Sequence, residues 1–178
     1  ANHLLVPGNG QSDLANNRLC VLKSTPTEHP ALLLDFGKEL QGGLQLVTGM
    51  PPSHDPVSVR VRFGESVSEA MCEIDGANGA SNDHAMRDFV VSLPWLGVQE
   101  IGNSGFRFVR IDVLGDSTEL QLKEVRAIST FRDIPYLGSF RCNDERLNRI
   151  WKTGAYTVHL NMQEYLWDGV KRDRLVWV

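Results

Sequence analysis

The sequence predicts a mainly β protein, an antiparallel, jelly-roll-like β-sandwich followed by one C-terminal α-helix. Two observations indicate this fold. From about residue 17 to residue 140, short apolar runs are separated by Gly, Pro, Asn and Asp, the pattern of antiparallel strands joined by turns. After residue 140 the apolar residues recur at three-and-four spacing, the period of a helix. A run of strands without intervening helices favours two packed sheets.

The individual strands follow from alternation and from the turn residues between them. In residues 57–63, apolar residues alternate with Ser58, Arg60 and Arg62, which predicts one buried and one solvent-facing side. The segment 37–43, rich in glycine, is expected to connect two strands as a hairpin. The alternation slips between Leu122 and Val125, which predicts a β-bulge. The other strands are predicted at residues 31–36, 44–48, 89–93, 106–113 and 120–130.

The helix is predicted to begin at Asn143, a natural N-cap, with Asp144 and Glu145 in a first turn where carboxylates complement the helix dipole. Its apolar face should point to the interior. That face consists of Leu147, Ile150, Trp151, Ala155, Val158 and Met162.

Composition excludes several classes of function. The chain has 178 residues, with 18 basic and 22 acidic side chains and a net charge of −4 at pH 7, so it lacks the basic excess of nucleic-acid-binding proteins. No apolar run approaches the roughly 18 residues that cross a bilayer. No charged-then-apolar leader opens the chain, so any signal peptide has been removed or never existed. Cys20, Cys72 and Cys142 are predicted to be buried thiols, and we expect no cofactor.

The segment 167–177 is the clearest candidate for chemistry. It combines the carboxylates of Asp168 and Asp173 with three cations, Arg172 among them, and is flanked by Trp167 and Trp177. Carboxylates accept hydrogen bonds from sugar hydroxyls and act as acid or base, while an indole packs on a pyranose ring. The alternative is a solvated charged turn beside two core tryptophans, because a glycosidase needs a second carboxylate that composition does not identify.

Other polar segments are given structural roles. The loop 75–83 carries several oxygen ligands but lacks the EF-hand spacing, so it is interpreted as an inter-strand connection. The histidines lie in separate segments, and no metal site is predicted from them. Glu65 follows a strand, where stabilising a turn is the simpler role.

From about residue 30 onward the chain carries the motifs Leu-Asp-Phe-Gly-Lys-Glu (34–39), Arg-Phe-Gly-Glu-Ser (62–66), Gly-Phe-Arg-Phe-Val-Arg (105–110), Tyr-Leu-Gly-Ser-Phe (136–140), Leu-Asn-Arg-Ile-Trp (147–151) and Asp-Gly-Val-Lys-Arg-Asp-Arg-Leu-Val-Trp-Val (168–178). Through these motifs, of which the last is the most specific, it resembles the α-L-rhamnosidases of glycoside hydrolase family 78. The resemblance implies a sandwich over residues 1–140 and, over 141–178, the truncated start of an (α/α)6 catalytic barrel.

Enzymes of that family hydrolyse terminal α-L-rhamnosyl linkages with inversion, using two carboxyl groups about 6.5–9.5 Å apart. By position, Asp168 matches the carboxylate that grips the sugar hydroxyls, Arg172 its cationic neighbour, Asp173 the general acid and Trp177 the aromatic facing the ring, with Trp167 beside them. The expected ligand is a rhamnose-containing glycoside or polysaccharide. The base would lie beyond residue 178, so this chain alone is expected to be inactive.

Two other functions remain open for the sandwich. It could bind carbohydrate on an exposed aromatic platform, for which Trp95 is the candidate, although a core or turn role for Trp95 is favoured. It could instead be a structural collar on the catalytic barrel. An apolar patch around the long helix would favour the collar, which we expect for residues 1–140.

Overall fold

The computed structural model describes residues 2–8, 14, 18–74, 87–171 and 176. These residues form a mainly antiparallel β structure with one long C-terminal helix, which confirms the predicted fold class. A short 3-10 helix spans Asn2–Leu5. The remaining elements are β1 (Cys20–Lys23), β2 (Ala31–Thr48), β3 (Val57–Gly64), α1 (Val67–Met71), β4 (Asp88–Leu93), β5 (Val98–Val113), β6 (Glu119–Ser129) and α2 (Glu145–Asn161).

The described strands form one antiparallel sheet in the order β1-β6-β2-β5-β3-β4. The first part of β2 pairs with β5 alone, whereas residues 42–48 of β2 pair with β6 as well. On its other edge, the end of β5 pairs with β3. Side chains from β2, β3, β5 and β6 all enter one apolar core. The result is a sandwich-like domain built from a single bent sheet, and not from two separate sheets.

The long strand β2 corrects the prediction of a hairpin at residues 37–43. The chain continues through this segment as strand, with register shifts between Asp35 and Leu40 and between Gly42 and Leu44. Gly42 has φ of +143°, and a Cβ there would collide with the carbonyl oxygen of Ile128. Glycine therefore lets β2 pass close to its neighbour β6 and continue as a strand through this irregularity.

Aromatic packing fills the centre of the core. Phe106 is fully buried and meets both Phe63 and Phe36 edge-on, with ring centroids 5.0 and 5.7 Å away. Such T-shaped pairs are the favourable arrangement of two aromatic quadrupoles. The core face predicted for β3 is confirmed. The predicted bulge in β6 is confirmed too, because Val47 pairs with Glu124 while Thr48 pairs with Leu122, which leaves Lys123 as the extra residue.

The solvent-facing side predicted for β3 is only partly correct. The side chain of Arg62 is only 5% exposed, and it forms ion pairs with Asp112 at 2.9 Å and Glu73 at 3.1 Å. The short helix α1, which the strand pattern did not predict, follows β3 directly. Its N-cap is Ser66, whose hydroxyl accepts a hydrogen bond from the Glu69 N–H.

The helix α2 begins one residue later than predicted. Its N-cap is Asp144, not Asn143, because the Asp144 carboxylate accepts hydrogen bonds from the N–H groups of Arg146 at 2.8 Å and Leu147 at 3.4 Å. No described helix is long and apolar enough to cross a membrane.

The face of α2 that packs inward differs from the predicted one. Leu147, Ile150 and Val158 are 47–57% exposed, whereas the buried positions include Asn148 and His159. Asn148 is held by both the N–H and the carbonyl oxygen of Cys142. Hydrogen bonds to the preceding linker thus help to orient the helix, and the Leu147, Ile150 and Val158 part of its apolar stripe is left exposed.

Candidate functional site

A cleft of about 730 Å³ lies between the sandwich and α2. The sandwich contributes to its walls from β2 and β5, and the helix contributes Tyr156 together with neighbouring polar residues. Its charged lining residues are Lys38, Glu39, Glu65, Arg107, Lys152 and Asp168. Carboxyl, ammonium, hydroxyl and amide groups on one concave surface can both donate to and accept from a polyhydroxylated ligand.

The helix is attached to the sandwich on the floor of this cleft. The Tyr156 hydroxyl donates a hydrogen bond of 2.6 Å to the main-chain carbonyl oxygen of Glu39, and the Lys38 ammonium lies 4.9 Å from the centroid of the same ring. Burial raises the pKa of Tyr156, and the nearby Glu39 raises it further. The phenol is therefore held as a neutral donor.

Glu39 is the most perturbed acid in the cleft. Burial raises its pKa to about 8, and the charge of Glu65 adds to that effect, while Lys171 opposes it. Its Oε1 atom is enclosed beside Gly105. A carboxyl group that keeps its proton near neutral pH is able to donate a hydrogen bond, which an ordinary glutamate is not.

Arg107, in contrast to the neutral Glu39, is held in its charged form by an ion pair. Its guanidinium forms two hydrogen bonds of 2.8 Å to the Asp35 carboxylate. These bonds, with the Gly37 N–H, lower the pKa of Asp35 to about 2. The bidentate geometry fixes the direction of the Arg107 side chain on the cleft wall.

Asp168 reaches the cleft through a segment that is fastened to β5. The Val170 carbonyl oxygen accepts a hydrogen bond of 3.1 Å from the Gly105 N–H, and the Val170 side chain is buried. Next to it, the Lys171 ammonium pairs with the Glu69 carboxylate at 2.5 Å. Asp168 is therefore a half-buried lining residue of the cleft.

The structure describes two of the five residues predicted for the sugar site. Asp168 lines the cleft, whereas the half-buried Trp167 stands next to it in the chain with its main-chain N–H donating to the Asn161 carbonyl oxygen at 3.0 Å. Arg172, Asp173 and Trp177 lie outside the described residues.

Several cleft residues were missed or given another role from the sequence. Glu39 was placed in the supposed hairpin, and Glu65 was interpreted as a turn residue. The Glu65 N–H does donate to Glu69 at 2.6 Å, but Glu65 also lines the cleft. The Ser66-x-x-Glu69 spacing is a capping-box signal that could have located α1. No local pattern brings Tyr156 to Glu39, because 117 positions separate them.

His159 and His54 have structural environments. His159 is buried, with its ring nitrogens 2.9 Å from the Tyr136 hydroxyl and 2.7 Å from the Arg132 carbonyl oxygen. His54 stacks on Trp95. No group of three or more potential metal ligands occurs among the described residues. The loop 75–83 and His84 lie outside them.

Trp95 is a turn residue and not an open platform. Its indole N–H donates to the Pro51 carbonyl oxygen at 3.0 Å, and its ring is stacked on His54 with centroids 4.7 Å apart. Both contacts tie together the loops before β3 and β5. The turn role favoured from the sequence therefore agrees with these contacts.

The fold and the cleft define a sandwich-like domain with an appended helix, and this fold occurs in sugar-hydrolysing and sugar-binding proteins. A rhamnosidase from Klebsiella oxytoca, solved with rhamnose bound, matches with a TM-score of 0.73 and 22% identity over 87% of this chain and 31% of that chain. The α-L-rhamnosidase of Aspergillus terreus matches with a TM-score of 0.51 and 21% identity over 92% of this chain and 18% of that chain.

A third similar structure is a fucolectin from striped bass (Morone saxatilis) serum, with a TM-score of 0.50 and 20% identity over 74% of this chain and 42% of the lectin chain. No protein-family model matches the chain, and no curated protein does. At these identities the similarity establishes the fold. The chain spans 31% of the length of the Klebsiella rhamnosidase.

Proposed function

We propose that this chain is the N-terminal part of an inverting glycoside hydrolase that cleaves terminal α-L-rhamnosyl residues, in family 78. Residues 1–140 form the accessory sandwich, and residues 141–178 begin an (α/α)6 catalytic domain. The observation that carries the proposal is the match of 87% of the chain, at a TM-score of 0.73, to a rhamnosidase. The motif resemblance in residues 168–178 supports the same assignment.

In the proposed reaction, Asp173 protonates the leaving glycosidic oxygen as general acid. Asp168 accepts hydrogen bonds from the sugar hydroxyls, and Arg172 is its cationic neighbour in the site. Trp177, with Trp167 nearby, packs on the apolar face of the ring. A second carboxylate outside this chain activates water on the opposite face, so that the configuration at the anomeric carbon inverts.

The role proposed for the sandwich is that of a collar that packs on the catalytic domain. The exposed side chains of Leu147, Ile150 and Val158 on α2 support it, because an apolar stripe of this kind is normally covered. On its own, the chain is expected to be inactive, since it carries neither the base nor most of a sugar pocket.

The test is hydrolysis of aryl α-L-rhamnosides by this chain and by the longer protein that contains it. We expect activity in the longer protein alone, with the β-anomer as the first product seen by proton NMR. Asp173→Asn should lower kcat about 10²- to 10⁴-fold on a poor leaving group and less on a good one, because acid catalysis matters most where the leaving oxygen is basic.

Asp55 is exposed, so Asp55→Asn is the matched control for that substitution. The kinetics of this variant should equal those of the wild type. A retained configuration in the first product would refute the inverting mechanism. Absence of hydrolysis by the longer protein on aryl rhamnosides would refute the rhamnosidase proposal.

A second candidate is a carbohydrate-binding module, which the similarity to a fucolectin favours. It predicts that the chain binds free fucose or rhamnose, measurable by isothermal titration calorimetry. The stacking of Trp95 on His54 weighs against this candidate, because the ring face is already occupied. Saturable binding that Trp95→Ala abolishes would favour the module over the collar.

A further inference from the structure

The main-chain carbonyl group of Val170 is held by the sandwich. Gly105 of β5 donates its N–H to the Val170 carbonyl oxygen at 3.1 Å. The amide of the buried Gln41 on β2 donates to the same oxygen at 3.1 Å when it is turned toward Val170, and in the opposite orientation it donates to Asn103 Oδ1 at 2.6 Å. In the first orientation, two donors from neighbouring strands converge on one carbonyl group, 65 positions further along the chain than Gly105.

Gly105 is required here by space. A Cβ at this position would collide with the Val170 side chain and would also approach the Glu39 carboxyl. The valine is 7% exposed and fits against the bare glycine backbone. Any larger residue at position 105 requires the Val170 side chain to shift, which disturbs the packing of the 168–171 segment on β5.

An ion pair holds the neighbouring residue. Glu69 of α1 accepts from Lys171 at 2.5 Å and from Arg87 at 2.6 Å, and its second oxygen accepts from the Glu65 N–H at 2.6 Å. Partial burial raises the pKa of Glu69, but Lys171, the Glu65 N–H and Arg87 together outweigh burial and lower it. Because Lys171 is 11% exposed and Arg87 4% exposed, the three-charge cluster is shielded from solvent.

We propose that Gly105, Gln41 and Glu69 are positioning residues that fix residues 168–171 and so aim the Asp168 carboxylate. The catalytic consequence rests on the proposed function, because Asp168 is there the sugar-gripping group and Asp173 follows it in the chain. The sandwich is then more than a passive collar. It supplies the rigid support for the part of the chain that carries the predicted chemistry.

The physical part of the proposal is tested on the 178-residue chain by amide hydrogen exchange at residue 105, whose N–H donates to Val170. Gly105→Ala should lower protection there by roughly tenfold or more, since the collision displaces the acceptor. The double variant Gly105→Ala with Val170→Ala makes room for the new methyl group and should restore protection. Gly138→Ala, where a Cβ meets open space, is the control.

Glu69→Gln is a second variant that adds no bulk. It removes the charge that Lys171 faces, so it should expose the Lys171 ammonium to acylating reagents while circular dichroism reports an intact sandwich. Unchanged protection at residue 105 in Gly105→Ala, with Lys171 equally shielded in Glu69→Gln, would overturn the positioning role.

The catalytic part is tested in the longer protein with an aryl α-L-rhamnoside. Gly105→Ala should lower kcat/KM roughly tenfold to a hundredfold, and the double variant should recover it. Loss of protection at residue 105 with unchanged kinetics would overturn the link to Asp168. If the longer protein lacks rhamnosidase activity, the proposed function fails, whereas the exchange result still decides whether the sandwich fixes this segment.

Discussion

The hydroxyl of Tyr156 on α2 donates a hydrogen bond of 2.6 Å to the main-chain carbonyl oxygen of Glu39 on β2. This bond connects the helix to β2, an interior strand of the sheet. Since Leu147, Ile150 and Val158 of α2 are exposed, directional polar contacts of this kind help to set the position of the helix. Tyr156 and Glu39 both line the cleft that contains Asp168.

Replacing Tyr156 by phenylalanine should remove the hydroxyl group that donates to the Glu39 carbonyl oxygen. We expect a loss of about 0.5–1.5 kcal/mol in the free energy of unfolding, the usual net value of a neutral hydrogen bond. Urea denaturation followed by tryptophan fluorescence measures it. The matched control is Tyr165→Phe, because Tyr165 is 65% exposed. Equal effects of the two changes would show that the bond contributes nothing.

Features that depend on neighbouring residues were predictable from the sequence. The core face of β3 follows from strict alternation, and the bulge at Lys123 follows from a local slip in that alternation. Both are properties of a single strand. They survive in the structure because a one-residue change of register would move apolar side chains to the wrong face.

Features that depend on distant packing were not predictable. The glycines near position 42 indicate a turn, but the same residues allow β2 to pass close to Ile128 and continue. The apolar period of α2 identifies its apolar side, yet it does not say which side packs on the sandwich. The cleft itself joins Glu39, Tyr156 and Asp168, and only the folded chain brings these together.

The aromatic centre of the core should be the most sensitive site for stability. Phe106→Ala would remove a fully buried ring that contacts both Phe36 and Phe63, and we expect a loss of about 3–5 kcal/mol. Thermal unfolding by circular dichroism measures the loss. The control is Val90→Ala on β4, since Val90 is 67% exposed and should change the unfolding free energy by less than about 0.5 kcal/mol.

The start of α2 offers a test between two adjacent residues. Asp144→Ala should destabilise the protein by about 0.5–2 kcal/mol, because its carboxylate caps the N–H groups of Arg146 and Leu147. Asn143→Ala should have a much smaller effect, although Asn143 is the residue that the sequence favours as the cap. Urea midpoints of both variants decide the matter, and a larger loss in Asn143→Ala would contradict the observed helix start.

The raised pKa of Glu39 predicts how stability depends on pH. Its ordinary value is 4.5, whereas burial first, and then the charge of Glu65, raise it to about 8 in the folded protein. Between those values the folded chain holds a proton that the unfolded chain has released. The contribution of Glu39 to the unfolding free energy therefore falls as pH rises from about 4.5 to about 8, and it levels off above that.

Glu39→Gln keeps the size of the side chain and removes the titration, so its stability should fall less steeply over that interval. Urea midpoints at several pH values from about 5 to about 9 compare it with the wild type. Glu28→Gln, at an exposed position, is the control and should follow the wild-type slope. If wild type and Glu39→Gln show the same dependence of stability on pH, then Glu39 is ionised in the folded protein. The cleft would then carry a negative charge at Glu39, which the raised pKa excludes near neutral pH.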